Sequence, residues 1–440
     1  MSRSDVRHPL RYKEVVMSRQ LLLAILGPIL GLLIISLGNG FISSLTSLRL
    51  DAAGVPVTLT GLVSSAYFIG LALGAIFSDR LITRTGHIRA YSSFASLIAV
   101  TILLQGLIFD PWMWFTLRLL CGWASVGVYL VIESWLLMSA DKENRGRLLA
   151  LYMIALYGSG AGGQAALGWI DSLGVTQPFL IAGVLASLSV LPVVMIPRVS
   201  PLLEPVAPAS ARKLLRSSPS GVAGCLGSGV AIAAVYTLLP LWLQHQGLSV
   251  DYVGYMMSSV ILGAMLLQYP VGRWSDRTSR QVVMIALCAF CAVLSLAILA
   301  LASVPAGLAV ALFLLGGGIF SLYPVAVSHS ADFAPPDTMV KLIQGMLLVN
   351  SLGAAVSPLS IAPVMTAAGT GALFWVLALL HLALMLFFIW RRNERPAPVP
   401  VAPFEPLTQM TPVGAELRVS EELMTQNAGE ETEAEPVTQG

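Results

Sequence analysis

Residues 112–147 read WMWFTLRLLCGWASVGVYLVIESWLLMSADKENRGR, and this stretch decides the class of fold. Its first 28 residues, 112–139, are almost wholly apolar, more than the roughly 20 that an α-helix needs to cross a hydrocarbon core. Two ionisable residues, Arg118 and Glu133, interrupt the apolar run, and a short charged loop, Asp141–Arg147, is expected to follow it. Such residues cost at least ~2.5 kcal/mol in mid-membrane and usually face a bundle interior or an aqueous cavity. The stretch therefore predicts a membrane helix with a functional face.

Arg118 and Glu133 are fifteen residues apart, which in a helix is about 22 Å, so they cannot pair with each other. Arg118 is interpreted as a cavity or proton-coupling residue, or as an arginine that snorkels or bonds to backbone carbonyls. Glu133 is interpreted as a proton carrier, or as the partner of Arg84, Arg145 or Arg147 in a structural salt bridge.

The composition of the whole chain agrees with a membrane protein. Of its 440 residues 56% are hydrophobic and 11% are charged, and the mean hydropathy is +0.80. Soluble domains carry about 25% charged residues, so we expect a polytopic membrane protein. The net charge of +2 gives no indication of a nucleic-acid partner. We find no Walker-type phosphate loop, zinc motif or nucleophile elbow, and therefore expect no enzyme, no cofactor and no metal site.

Twelve apolar segments are long enough to span a membrane, six in each half of the chain. The first six are Leu21–Ser47, Leu59–Ser78, Ala90–Phe109, Trp112–Ser139, Leu148–Ile170 and Gln177–Ile196. The second six are Gly221–Leu243, Val253–Trp274, Val282–Ala302, Ala306–Ser328, Met339–Met365 and Gly371–Trp390. We expect a cytoplasmic N-terminal segment (1–19), an N-terminal bundle (20–197), a linker (198–219), a C-terminal bundle (220–391) and a disordered cytoplasmic tail (392–440).

The distribution of basic residues predicts the orientation. With the N-terminus inside, 23 of the 25 lysines and arginines fall on the inner side. The exceptions are Arg49, which is outside, and Arg118, which is within the membrane. The positive-inside rule therefore predicts that both termini are cytoplasmic.

The two halves resemble each other at a nearly constant spacing of 193 or 194 residues. The matching pairs are Gly61 and Gly254, Gly70 and Gly263, Arg84 and Arg277, and Tyr129 and Tyr323. This offset predicts a duplicated six-helix unit. In such parallel repeats the substrate site lies between the halves, near the middle of the membrane.

The connection after the eighth segment reads GRWSDRTSR (272–280), and the one after the second reads DRLITRTGHIRA (79–90). The former resembles the helix 2–3 signature of the major facilitator superfamily: Gly, three residues, Asp-Arg, then a basic residue. The first copy is degenerate, with Asp79 in place of the Gly and Thr83 in place of the Asp. The resemblance implies a conformational gate; the alternative is a solvated basic loop. The gate candidates are Arg84, Gly86, Arg89, Gly272, Asp276, Arg277 and Arg280.

Further stretches strengthen this resemblance. RLLCGWASVG (118–127) is similar to a pattern in the fourth helix of proton-coupled members. VIESWL (131–136), NRGRLLALYM (144–153) and GHIRA (86–90) together resemble the YcaD-like branch, over about residues 20 to 390. The resemblance implies an all-α fold of twelve transmembrane helices in two pseudo-symmetric six-helix bundles. It also implies a bacterial inner membrane location and a monomer that needs no partner chain.

Helices 1, 4, 7 and 10 line the cavity in this superfamily, so Asn39, Tyr129 and Tyr236 rank first as cavity residues. The other candidates for the cavity or for coupling are Arg118, Glu133, Gln164 and Asn350. For the uncharged candidates the alternative role is hydrogen bonding between helices.

The function expected is secondary active transport of a small solute, anionic or neutral, driven by protons. Efflux of a drug or hydrophobic cation by an antiporter is the first alternative. The Gly-Pro element of the superfamily's drug antiporters is missing from the fifth segment, where Ala161 and Gly162 stand. The second alternative is a non-transporting receptor or scaffold, which would have no use for a gate in each half.

Overall fold

The computed structural model describes residues 19–139, 142–195, 218–333 and 339–394, and the regular structure within these ranges is helical. The helices of the first half are α1 (Arg19–Ala52), α2 (Val57–Thr85), α3 (His87–Leu107), α4 (Pro111–Met138), α5 (Lys142–Ala165), α6 (Leu167–Asp171), α7 (Gln177–Leu188) and α8 (Val190–Val194). The helices of the second half are α9 (Pro219–His245), α10 (Val250–Arg277), α11 (Arg280–Leu301), α12 (Pro305–Ala331), α13 (Met339–Ala368) and α14 (Ala372–Glu394).

Eleven membrane spans of sufficient length and apolarity lie within the described residues. The fifth expected segment, Leu148–Ile170, is instead divided between α5 and α6 by a break at Ala166. Its glycines and Gln164 lower its hydropathy below that of the other spans. The sixth expected segment is likewise divided, at Ser189, into α7 and α8. The predicted all-helical membrane fold is confirmed.

Several predicted boundaries are wrong because the helices continue past the apolar core. The charged stretch 141–147 was expected to be a loop, but α5 already begins at Lys142. Lysine, glutamate and arginine are good helix formers, so polarity there ends the membrane span but not the helix. Similarly, α14 runs to Glu394, into the expected tail, and α1 begins at Arg19. Residues 1–18, 196–217 and 395–440, which hold most of the expected terminal segment, linker and tail, lie outside the described residues.

The same helix pairs pack together in both halves. α1 packs on α5 as α9 does on α13, α2 on α4 as α10 does on α12, and α3 on α7 as α11 does on α14. Glycines at equivalent positions of the two halves allow the packing of α2 on α4 and of α10 on α12. A Cβ atom at Gly70 would overlap the carbonyl oxygen of Leu119 in α4, and one at Gly263 would overlap that of Phe313 in α12. Small residues let membrane helices approach this closely.

The halves meet through α2 against α13 and α5 against α10. At the end of the bundle where α1 stops and α2 starts, which we call the far end, these contacts are tight. A Cβ atom at Gly61 would lie 2.7 Å from the carbonyl oxygen of Pro358, and one at Gly254 would overlap the carbonyl oxygen of Gln164. One hydrophobic core includes residues of both halves there. At the opposite end, which we call the basic end, the second half has a separate core that α2 touches through Ala75.

Candidate functional site

A central cavity lies between the two halves and holds about 960 Å³ of space not filled by atoms, part of it open to solvent. Eight helices contribute to it: α1, α2, α4 and α5 from the first half and α9, α10, α12 and α13 from the second. Its polar lining residues are Ser36, Asn39, Ser43, Tyr67, Tyr129, Tyr157, Tyr236, Asn350 and Ser351. Within the described part of the chain, no charged side chain lines it.

One side of the central cavity is an aromatic wall made of Tyr157, Phe320 and Tyr236. The ring of Phe320 meets Tyr236 edge to face with centroids 5.7 Å apart, and meets Tyr157 in the same way at 6.1 Å. Gln268 fixes this arrangement from behind, because its amide lies 3.5 Å from both the Tyr157 hydroxyl and the Phe320 carbonyl oxygen. The wall therefore joins α5 of the first half to α9 and α12 of the second.

The polar groups of the central cavity come from both halves. In the first half, the Tyr129 hydroxyl lies beside Asn39 and Ser36. The Nδ2 atom of Asn39 is buried and has the Tyr129 hydroxyl as its polar neighbour. In the second half, Asn350 donates its Nδ2 hydrogen to the carbonyl oxygen of Cys225, 3.0 Å away. This bond fixes the Asn350 amide and leaves its Oδ1 as the polar atom that it presents.

Arg118 lies behind the cavity wall and does not line the cavity. Its guanidinium carbon is 4.4 Å from the centroid of the Tyr67 ring, and its Nη2 donates to the Ser43 hydroxyl at 2.8 Å. The side chain is only 2% exposed. Both partners line the cavity, so Arg118 holds two lining residues in place while Tyr67 separates its charge from the open space.

The remaining candidates in the membrane also lie outside the lining. Gln164 donates to the Gly40 carbonyl at 2.7 Å and to the Ser44 hydroxyl at 2.9 Å, which ties α5 to α1. Glu133 is 3% exposed within α4. Of the expected coupling and cavity residues, the structure therefore brings Asn39, Tyr129, Tyr236 and Asn350 together, and places Arg118, Gln164 and Glu133 elsewhere.

At the basic end, Arg280 forms the centre of a buried polar cluster. Its Nη1 donates to the Ser328 carbonyl oxygen at 2.5 Å and to Asp332 Oδ1 at 2.9 Å. Its Nη2 lies 3.8 Å from Asp276 Oδ1. The side chains of Arg280 and Asp332 are 1% and 3% exposed. The cluster ties the start of α11 to the end of α12 and to the last turn of α10.

The other gate candidates are spread around the two connections. Arg84, Arg89 and Arg277 are exposed, and Gly272 is buried within α10. Gly86 is the single residue between α2 and α3, and its φ of 79° lies in the region that only glycine adopts readily. Its N–H also caps α2 by donating to the carbonyl oxygen of Ile82 at 2.8 Å.

In the first half, the position that matches Arg280 is held by His87. The offset of 193 residues relates these two, and Ser134 is related to Ser328 by 194. His87 Nε2 lies 3.1 Å from the Ser134 hydroxyl, and His87 is 3% exposed. Arg89, one of the gate candidates expected in this copy, is exposed. The inward contact is therefore made by a histidine.

Sequence reasoning also missed Tyr67, Tyr157 and Phe320 as lining residues, and Asp332 as the partner of Arg280. The aromatic residues lie in apolar helices where nothing in the local pattern separates a lining ring from a packing ring. The signal for His87 was present, because the 193-residue offset places it opposite Arg280.

A family model for the Major Facilitator Superfamily matches residues 28–358 and, in a second alignment, residues 243–427. An uncharacterized MFS-type transporter YcaD from Salmonella enteritidis PT4 is 31% identical over 371 residues, which cover 84% of this chain and 96% of that relative. An uncharacterized MFS-type transporter of Enterobacter sp. (strain 638) is 31% identical over 373 residues, with the same coverage. The chain belongs to the major facilitator superfamily. Its resemblance to the YcaD-like transporters is confirmed over most of its length.

Solved structures of the superfamily share its fold. The nucleoside transporter NupG superposes with a TM-score of 0.69 at 15% identity, covering 84% of this chain and 98% of that one. A bacterial homolog of the human lysosomal transporter Spinster, in an inward-facing and unoccupied conformation, superposes with a TM-score of 0.62 at 12% identity. The match covers 85% of this chain and 96% of that one. At these identities the likeness concerns the fold alone.

Proposed function

We propose that this superfamily member is a secondary transporter that carries a small polar solute across the bacterial inner membrane by alternating access, driven by protons. The observation that carries the proposal is the central cavity, which both halves line near the middle of the bundle. The halves make their tight backbone approaches at the far end. A site enclosed by two units that can rock against each other is what alternating access requires.

The orientation follows from the basic residues. Arg84, Arg89, Arg277 and Lys341 are exposed at the basic end, whereas Arg49 at the far end pairs with Asp171 at 2.6 Å. The positive-inside rule favours the cytoplasm for the basic end. The far end is then periplasmic, and its tight contacts correspond to a state in which the cavity is closed to the outside.

The Arg280 cluster is the proposed latch of the second half. A buried arginine that binds both Asp332 and a helix-end carbonyl holds α11 and α12 together, and Asp276 links them to α10. Rearrangement of these bonds would accompany rocking of the bundle. The neutral contact between His87 and Ser134 has the corresponding place in the first half.

Glu133 is the proposed proton carrier, because it is a carboxylic acid buried in a membrane helix next to Ser134. The test is Glu133→Gln in proteoliposomes. If Glu133 carries the proton, the variant loses uptake driven by a pH gradient but retains solute exchange at equal pH. Loss of both activities in a correctly folded variant would contradict this role and identify a structural salt bridge.

Efflux of a hydrophobic cation remains the second candidate, since the aromatic wall offers ring faces to a cation. The absence of a carboxylate among the described lining residues disfavours it. The third candidate is a receptor that transports no solute. Purified protein in proteoliposomes, given polar solutes or tetraphenylphosphonium with pH gradients of either sign, separates the three. Accumulation of a polar solute supports the proposal; accumulation of the cation alone, or no flux of any kind, overturns it.

A further inference from the structure

We infer that the solute is uncharged and contains a flat conjugated ring with hydrogen-bonding groups on its edge. The inference rests on the proposed transport function and narrows it to a class of substrate. Three independent features of the central cavity lead to it: its lack of charge, its aromatic wall and its two opposed amides.

The first feature is electrostatic. A charged solute leaves water at a large cost unless the site supplies an opposite charge. The described lining residues carry no charge, and the nearby guanidinium of Arg118 is covered by Tyr67 and bound to Ser43. A carboxylate or phosphate in the cavity would therefore meet the ring of Tyr67, not the cation behind it. This narrows the sequence-based expectation of an anionic or neutral solute to a neutral one.

The second feature is the shape of the apolar surface. Tyr157, Phe320 and Tyr236 meet edge to face, and Gln268 holds the wall from behind. Aromatic rings prefer edge-to-face or offset-stacked partners, so a flat solute ring gains contacts here that a puckered sugar ring does not. Tyr67 and Phe68 of α2 add two further rings to the cavity lining and pack at 83° to each other, with centroids 5.6 Å apart.

The third feature is a donor and an acceptor on opposite halves. Asn39 and Tyr129 lie side by side in the cavity lining of the first half and both carry donor hydrogens, and a buried donor is costly unless an acceptor satisfies it. Asn350 donates its own Nδ2 hydrogen to the carbonyl oxygen of Cys225, which leaves Oδ1 as the acceptor that it presents. A solute with an acceptor on one edge and a donor on the other would bridge α1 and α13. The same solute would then stabilise the closed arrangement of the two halves.

The first experiment is a thermal-shift screen of the full-length protein in detergent with matched pairs of probes. The neutral ring compounds are uridine, adenosine and nicotinamide; their charged counterparts are uridine monophosphate, adenosine monophosphate and nicotinate. Ribose and tetraphenylphosphonium complete the set. We expect a rise in melting temperature from at least one neutral ring compound and none from its charged counterpart. No shift from any neutral ring compound, or a larger one from a charged counterpart, would overturn the inference.

Two cavity variants and one control sharpen the result. Tyr236→Leu removes a ring of the aromatic wall, whereas Tyr236→Phe keeps the ring and removes the hydroxyl. We expect at least a tenfold weaker affinity for the active probe in the former and a smaller loss in the latter. Tyr255→Leu alters a tyrosine that is 55% exposed outside the cavity and should leave affinity unchanged. Equal losses in Tyr236→Leu and Tyr255→Leu would contradict a role for the wall.

Flux measurements distinguish failure of this inference from failure of the proposed function. If proteoliposomes accumulate ribose or a nucleotide but no neutral ring compound, the chain is a transporter and the inferred substrate class is wrong. If no probe is transported in either direction while the melting temperature still responds to uridine or another neutral ring compound, the cavity binds as inferred and the transport function fails.

Discussion

The beginnings of α3 and α11 occupy equivalent places in the two halves, yet they use different chemistry. In both halves, the first residue of the helix turns inward and contacts an equivalent serine of the next long helix, Ser134 in α4 or Ser328 in α12. Arg280 binds the backbone carbonyl of Ser328 and continues to Asp332, forming a buried ion pair. His87 contacts the Ser134 side chain instead, in a neutral contact.

The difference shows how duplicated bundles divide their tasks. The second half buries Arg280 with Asp332 at the basic end, whereas the first half buries Arg118 beside Tyr67 and Ser43, farther inside the bundle, and Glu133 beside Ser134. The position related to Arg118 by 194 residues is Leu312, which is fully buried in the hydrophobic core. We therefore interpret the second half as the latch and the first as the half that adjusts the site and couples it.

The largest expected effect comes from breaking the ion pair of the second half. Arg280→Met leaves Asp332 buried without its cation, and removing one partner of such a pair costs about 3–5 kcal/mol. We expect a marked fall in melting temperature and in yield of folded protein. The matched control is Arg277→Met, an exposed arginine three residues earlier, which should change stability by less than about 0.5 kcal/mol.

A second variant tests whether the loss of stability comes from the Asp332 carboxylate that Arg280 no longer binds. Arg280→Met combined with Asp332→Asn removes both charges and should recover part of the stability. If Arg280→Met melts like the natural protein, or if the double variant is worse than the single one, the ion pair does not stabilise this end of the bundle.

An intermediate effect is expected from giving the first half the charge of the second. His87→Arg places a cation at a buried position. At the 194-residue spacing the sequence has Met138 where the second half has Asp332. We expect a cost of about 2 kcal/mol, somewhat less than for a charge at a helix centre because α3 begins at the end of the bundle. Adding Met138→Asp should restore stability, measured by thermal unfolding. No recovery would mean that the two connections are not equivalent in space.

A smaller effect distinguishes the two serines. Ser134→Ala removes the hydroxyl that His87 contacts and should cost about 1 kcal/mol, the value of a typical hydrogen bond. Ser328→Ala should cost clearly less, because Arg280 binds the carbonyl oxygen that alanine retains. Equal costs in thermal unfolding would show that the contact of His87 contributes nothing.

The sequence predicts the spans and the repeat well, because both depend on the local pattern of apolar residues. It predicts the site less well, because the site depends on where side chains turn in three dimensions. Arg118 was placed correctly in its helix, but its contact with Tyr67, which hides the charge, is made across to α2. His87 could have been found from the 193-residue offset to Arg280, but the gate candidates expected in the first copy were Arg84, Gly86 and Arg89.

The smallest effect concerns the far end, where the two halves are linked by another pair at the repeat spacing. His245 Nε2 lies 3.1 Å from Asp51 Oδ2, and these residues are 194 apart. Of the neighbouring charges, Arg49 pairs with Asp171, and the exposed Asp251 lies against Gly168. The side chains of His245 and Asp51 are 41% and 21% exposed, so solvent screens the pair and its contribution is only about 0.2–1 kcal/mol.

This pair links the two halves at the far end only weakly, so its removal should loosen the closed far end only slightly. Spin labels at Ala53→Cys and Gln246→Cys, in a protein whose four native cysteines are buried, would report the distance between the halves. We expect His245→Gln to lower the short-distance population by less than about fivefold, because solvent screens the contact that the variant removes. An unchanged population in His245→Gln would mean that this pair does not hold the two halves together.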